Sequence, residues 1–353
     1  MAKCIDMKGR SLLALETVSE AEIVYLLDLA ASLKARKRAG IRGDLLKQKN
    51  IGLVFEKPST RTRCAAVVAV VDEGGSAEYL DVHNIHLGKK ESVVDTARAL
   101  GRMLDGILFR GYRQATAELL ARYAGIPVWN GLTDDCHPTQ ILADLLTVRE
   151  AFKGSAPLKM VYIGDGRNNV ATSLMVGCAK VGINFVNCTP AELAPSAKFV
   201  LESQRIASAK KTTVAVSHSP DTAVRGANVV YTDTWVSMGE EACFAERVKL
   251  LRPYQVNMKL MRRTGMLESG EVIFLHCLPA FHDANTDFTR ECGALEVTDD
   301  VFESPFSRVF DQTENKMHTL KALMVATVGT VPCDLLKPET KGKRTWRKPK
   351  RSN

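Results

Sequence analysis

The chain has 353 residues, 45% of them hydrophobic and 25% charged, with a formal net charge of +8. That length accommodates two domains with separate cores, and no apolar run approaches the roughly 18–20 residues that span a bilayer. The charge is uneven: seven of the 48 basic residues lie between Lys341 and Arg351, which leaves 41 basic against 40 acidic residues elsewhere. The body is thus close to neutral. The Lys/Arg/Pro-rich residues 337–353 read as a disordered tail, either solvated or an arm for nucleic acid, an anion or a partner. Nucleic acid is not an expected partner of the body. Nine cysteines without a Cys-x-x-Cys make neither a disulfide framework nor a zinc finger and suit a reducing compartment. Met1 to Asp6 show neither the apolar core of an export signal nor an Arg/Ser-rich leader, so a cytoplasmic location without membrane contact is expected.

In chain order, Ser19 to Arg38 carries Ile23, Leu26, Leu27, Ala30 and Leu33 at helical spacing behind a capping serine. The apolar run Ile51 to Phe55 predicts a buried parallel strand, and a helix is expected to run on from Cys64 to Asp72. Between them Pro58 enforces a turn, and Ser59-Thr60-Arg61-Thr62-Arg63 occupies the helix start, with Ser59 or Thr60 as N-cap. Unpaired backbone N–H groups, the helix dipole, two hydroxyls and the guanidiniums of Arg61 and Arg63 would converge there on a small dianion. A capped, solvated helix start with two surface arginines fits the spacing too. The density of hydrogen-bonding groups directly after a buried strand favours the anion site. Lacking a Gly-rich run and its Lys, it is not a Walker loop.

A strand near Glu78 to Leu80, a polar loop at His83 to Ser92 and a helix from Glu91 to Leu104 follow. Next come a strand Ile107 to Phe109 ending in Arg110-Gly111, a helix Gln114 to Tyr123, and a polar loop Asp134 to Gln140 opening the helix Thr139 to Phe152. These complete a first unit, residues 1–152. A second, 153–314, alternates strands at 159–163, 183–186, 214–216, 229–231 and 272–275 with helices at 170–181, 198–209 and 248–263. A final helix at about 315–328 is expected to pack back on the first unit. The fold class is therefore α/β, with two parallel-sheet domains bridged by helices. Ligand groups in such sheets gather at strand ends, so Arg110 should share an edge with the anion turn.

Gly164-x-Gly166 after a strand suggests a dinucleotide fingerprint, but Asn169 replaces the third glycine and no acid follows at a convincing distance. Asn168 and Asn169 read instead as groups for a polar ligand, with helix capping as the plainer alternative. His137-Pro138-Thr139-Gln140 sets an imidazole and an amide at a helix entrance, where a solvent-facing cap is equally compatible. His276-Cys277-Leu278-Pro279-Ala280-Phe281-His282-Asp283 has zinc-type ligands on one loop only, so no metal is expected. No Gly-x-Ser-x-Gly supports acyl-enzyme chemistry.

Taken together, these residues resemble the aspartate/ornithine carbamoyltransferase family, on its ornithine side, over roughly residues 6–328. Ser59-Thr60-Arg61-Thr62-Arg63 looks like the family's carbamoyl-phosphate signature, and Phe109-Arg110-Gly111 and His137-Pro138-Thr139-Gln140 like its second and third contacts. Asp233-x-Trp235-Val236-Ser237-Met238-Gly239 is similar to the loop that closes over ornithine, and His276-Cys277-Leu278-Pro279 to the loop touching both substrates. The resemblance implies transfer of the carbamoyl group of carbamoyl phosphate to the δ-amine of L-ornithine, without cofactor. It implies carbamoyl-phosphate contacts from Ser59, Thr60, Arg61, Thr62, Arg110, His137, Gln140, Cys277, Leu278 and Lys316, the last standing where the family commonly has Arg. Ornithine contacts are implied for Asn169, Asp233, Ser237 and Met238, and catalytic roles for Arg61, Arg110, His137 and Cys277. It further implies homotrimers, open to higher assembly, in which His86 serves a neighbouring subunit's site. Another amine acceptor, such as putrescine, is the alternative within the family.

Overall fold

A computed structural model describes residues 5–83, 85–153, 157–236, 243–332 and 335–336. The tail expected at 337–353 and the loop residues Ser237 and Met238 lie outside the described residues. The first half runs α1 (Glu20–Arg38), β1 (Asn50–Phe55), α2 (Thr60–Val71), β2 (Ser76–Asp81), α3 (Val93–Leu100), β3 (Gly106–Arg110), α4 (Gln114–Tyr123), β4 (Val128–Leu132) and α5 (Pro138–Phe152). The second runs β5 (Lys159–Ile163), α6 (Asn169–Val181), β6 (Asn184–Cys188), α7 (Ala197–Ser208), β7 (Val214–Ser217), α8 (Pro220–Ala223), β8 (Val229–Thr232), α9 (Phe244–Leu251), α10 (Met258–Arg262), β9 (Ile273–His276) and α11 (Asp299–Phe302). The helix α12 (Val309–Thr327) follows.

Local chemistry accounts for most boundaries. Ser19 and Glu22 form a reciprocal capping box at the start of α1. Ser59 caps α2 and Ser92 caps α3 through their hydroxyls. Three helices differ from expectation. α3 ends at Leu100, because Gly101 presses so close to α4's end that a Cβ there would lie 1.8 Å from the Ala124 carbonyl oxygen. The helix expected across 248–263 is broken: Pro253 cannot continue it, a 3-10 turn takes Arg252–Tyr254, and Asn257 caps a new start. α12 begins at Val309, earlier than its apolar stripe indicates.

Every strand pairs in parallel, in the orders β2-β1-β3-β4 and β7-β6-β5-β8-β9. Each order reverses direction once, between β1 and β3 and between β5 and β8. A reversal opens a crevice beyond the strands' C-terminal ends, where α/β sheets bind ligands. α12 packs on α1, α2 and α5, and its Leu320, Leu323 and Met324 join one core with Leu26, Ala66 and Leu142. That core continues into Val170 and Leu174 of α6. The two crevices are thereby fixed against each other.

Candidate active site

The crevice beyond β1 and β3 is lined by the anion turn. Ser59 Oγ accepts the Thr62 N–H at 3.2 Å, and the Thr62 hydroxyl is buried without a partner among the described residues. Arg61 is half-buried, while Thr60 is exposed on the first turn of α2. Arg63 departs from expectation: its guanidinium stacks 3.7 Å from the ring centre of Tyr79 on β2. Residues two apart on a helix point about 200° from each other, so Arg61 and Arg63 cannot face one spot. The second guanidinium is that of Arg110, the buried last residue of β3. Burial, then the nearby Arg61, pulls Arg110 down to about 10, with Cys277 opposing. Among the described residues Arg110 Nε and Thr62 Oγ1 are buried unpaired, a cost of about 1–3 kcal/mol each unless water or a ligand meets them.

α5 and α12 supply the next groups. Lys316 Nζ donates to Gln140 Oε1 at 3.0 Å and lies 3.4 Å from His137 Nε2. Burial, reinforced by Arg110, lowers Lys316 to about 7. Burial and the charges of Lys316 and Arg110 hold His137 well below its ordinary value, so its imidazole is neutral. With Lys316 donating to Nε2, the ring proton sits on Nδ1, which is buried without a partner among the described residues.

Sequence reasoning missed the support beneath these groups. Gln140 Nε2 donates to Asp144 Oδ1 at 2.8 Å, and Gln312 Nε2 donates to the same oxygen at 2.6 Å. Spacing within Gln140 to Asp144, one helical turn, was the available signal; nothing local points to Gln312.

The second crevice faces this group. Asp233 ends β8 and Cys277 follows β9, and the Cys277 thiol donates to Asp233 Oδ1 at 3.0 Å. Burial and that carboxylate push Cys277 well above the usual thiol range, so it is a neutral thiol. Burial raises Asp233 too. Burial lowers Arg61, and the opposing pull of Asp233 reaches it from the second sheet, beside which the anion turn lies. Leu278 takes a left-handed conformation (φ 59°), its N–H donating to His276 Nδ1 at 2.9 Å. His276 Nε2 faces Glu296 Oε1 at 3.2 Å. Asp233, His276 and Cys277 lie close enough to share a cation, but both His276 nitrogens are already engaged.

Asn168 proves to be a cap, its Oδ1 accepting the Val170 N–H at 2.7 Å. Asn169 Nδ2 donates one hydrogen to the Thr133 carbonyl at 2.6 Å, leaving the other for a ligand. Gly166 is explained by packing, since a Cβ there would meet Asn187 Oδ1 at 2.7 Å. That removes the support for a dinucleotide fingerprint. His86 is not brought to the cluster: its side chain is exposed on the turn before α3. A cleft of about 460 Å³ between Glu16, Gln114, Asp135 and Arg167 holds none of the clustered residues.

Residues 10–150 match the family described as aspartate/ornithine carbamoyltransferase, carbamoyl-P binding domain, and residues 156–327 match its Asp/Orn binding domain. The chain belongs to the aspartate/ornithine carbamoyltransferase family. A catabolic ornithine carbamoyltransferase of Bacillus licheniformis is 54% identical over 335 residues, covering 93% of this chain and 99% of that one. A catabolic ornithine carbamoyltransferase of Bacillus cereus is also 54% identical, over 92% of this chain and 98% of its own. Among solved structures, the ornithine carbamoyltransferase of Pyrococcus furiosus superposes with a TM-score of 0.84 at 40% identity, covering 92% and 98% of the two chains. Family membership accounts for the order in which the motifs occur; the geometry above accounts for what each can do.

Proposed function

We propose that this chain is an ornithine carbamoyltransferase, converting carbamoyl phosphate and L-ornithine to L-citrulline and phosphate. The observation that carries the reading is the meeting of two half-sites: Arg61 and Arg110 with His137, Gln140 and Lys316 on one side, Asp233 and Cys277 on the other. Relatives at 54% identity named ornithine carbamoyltransferase support it.

The phosphate is held by the α2 N-terminus, Ser59, Thr60, Arg61, Thr62 and Arg110, which stabilise it as it leaves. Such preorganised donors are worth about 3–4 kcal/mol each in a transition state. Gln140 Nε2 is committed to Asp144, so Oε1, which already accepts from Lys316, has its second lone pair for the carbamoyl NH2, while His137, Lys316 and the turn at Cys277 and Leu278 orient the carbamoyl group. Asn169 takes the ornithine carboxylate, and Asp233 with Ser237 the α-ammonium; Met238 belongs to the same loop. The attacking δ-amine must be neutral, although such amines titrate near 10. Arg61, Arg110 and Lys316 disfavour a further cation between them, so the site selects the neutral form.

We further propose a division into residues 1–152, with the part of α12 from about residue 315 packed back on them, and 153–314, and a cytoplasmic homotrimer whose sites borrow His86 from a neighbour. The catabolic designation of the Bacillus relatives favours use from citrulline toward carbamoyl phosphate. Citrulline formation, measured in both directions and against putrescine and aspartate as acceptors, tests the reading. Equal or faster transfer to another amine would overturn the ornithine assignment.

A further inference from the structure

Between the two crevices lies a buried polar chain that starts behind Gln140. Gln312, in the first turn of α12, is buried, and each end of its amide is committed. Nε2 donates to Asp144 Oδ1 at 2.6 Å and to the Tyr231 hydroxyl at 3.0 Å, and Oε1 accepts the His276 N–H at 3.1 Å. Asp144 Oδ1 is shared, because Gln140 Nε2 also donates to it at 2.8 Å. An unbroken path therefore runs from Gln140, on α5 of the first half, through Asp144 and Gln312 to the backbone of β9, one residue before Cys277. Tyr231 on β8, two residues before Asp233, hangs from the same amide.

We infer that Gln312, acting through Asp144, is a positioning residue: it sets the register of the Cys277–Leu278 turn against the Gln140 amide. The inference rests on the carbamoyltransferase reading of the site. Asp144 Oδ1, by accepting both amide N–H groups, fixes which end of Gln140 faces it, and so presents Gln140 Oε1 to the substrate and Lys316. Gln312 then transmits that position to the strand that ends in the ornithine side of the site. In a buried, low-dielectric network such orientation is strongly coupled, and its members act as a unit. A misplacement of ~1 Å between reacting groups costs roughly 100-fold in rate.

The test uses the full-length protein and compares wild type with Gln312→Leu, Asp144→Asn, the double variant and Gln312→Glu. Wild-type citrulline formation is measured first; its absence would count against the proposed function, not against this inference alone. With an active wild type, Gln312→Leu is expected to lower kcat per folded site by about tenfold or more while the carbamoyl-phosphate KM stays within about threefold. Asp144→Asn keeps the Oδ1 acceptor and should retain more activity than Gln312→Leu. The double variant should be no worse than the poorer single variant within about threefold. Gln312→Glu keeps the His276 contact but sets a second carboxylate against Asp144. The two can hold together only while they share a proton, so this variant's activity should fall with rising pH at values where wild type is still active. A purely structural role would lower thermal stability and leave kcat per folded site and its pH profile unchanged. That result, or additive losses in the double variant, would overturn the inference. If Gln312→Leu does not fold, the pH profile of Gln312→Glu decides alone: a profile like wild type's overturns it.

Discussion

The Lys316 ammonium points at Gln140 Oε1 from 3.0 Å in a fully enclosed position, where burial and Arg110 leave it titrating at about 7. Its charge is therefore present below pH about 7 and lost above it. The titratable groups facing it are Arg61 on α2, Arg110 on β3, neutral His137 and Asp144 on α5, the last raised by burial to about 7, and the neutral Cys277 thiol after β9.

A bound dianion favours the charged lysine, so carbamoyl phosphate should bind with proton uptake above pH about 7, and its affinity should weaken by up to about tenfold per pH unit there. Lys316→Arg, which stays charged at all working pH values, should flatten the carbamoyl-phosphate KM profile. Lys316→Met should raise KM throughout. Steady-state kinetics over about pH 6 to 9 check this, and a Met variant with a wild-type profile would remove Lys316 from the site.

The two arginines of the anion turn should behave oppositely. Arg61→Gly and Arg110→Met should each lower kcat by about 10²–10³-fold, the loss expected when one donor to developing charge is removed. Arg63→Ala should leave kcat within about twofold and cost at most about 1 kcal/mol of stability, the value of an exposed cation–π contact. Parallel kinetics and thermal melts of the three variants measure both effects. Comparable kcat losses at Arg61 and Arg63 would contradict the facing assigned to them.

What the sequence made legible follows from range. Strand ends were readable because buried β1, β3 and β9 are continuous apolar runs with a polar residue immediately after, and that placed Arg110 and His276-Cys277 on binding edges. Two helix starts were readable from their caps, Ser19 before α1 and Ser59 before α2. The error at Arg63 came from counting charges in a window without rotating them about a helix axis. The helix across 248–263 failed because apolar periodicity outvoted Pro253. Asp144 and Gln312 were invisible for a different reason. Their meaning depends on a contact spanning 168 residues, and a buried Gln in a first helical turn looks locally like any polar residue at a helix start.

Cys277 should be chemically quiet. Its thiol is held well above the usual range and already donates to Asp233, so thiolate, the reactive form, is scarce at neutral pH. Iodoacetamide at neutral pH should label exposed Cys64, Cys243 and Cys292 ahead of Cys277, as mapped by mass spectrometry. Cys277→Ser keeps a donor for Asp233 and should be mild. Cys277→Ala removes one of the donors to a buried carboxylate, which keeps the Thr234 N–H, and should cost about 1 kcal/mol, expressed mainly in the ornithine KM. Rapid labelling of Cys277 ahead of the exposed thiols would refute the neutral-thiol assignment.

His86 supplies a test of shared sites. Its side chain is exposed, on the turn that leads into α3, while Arg61 sits half-buried in the crevice of the same chain. A residue that serves only its own chain's site has no reason to be presented outward on a polar loop, whereas a lent residue does. Arg61→Gly and His86→Ala homo-oligomers should each be impaired, the first severely. Mixed and reassembled, they form some sites that draw Arg61 from one chain and His86 from another, both intact. In trimers built from equal mixtures, activity should rise well above the average of the two parents, because an interface between unlike chains restores a complete site in one of its two orientations. Size-exclusion chromatography coupled to light scattering establishes that mixed trimers have formed. Activity no higher than the parental average in verified mixed trimers would place His86 outside the site and leave each chain to work alone.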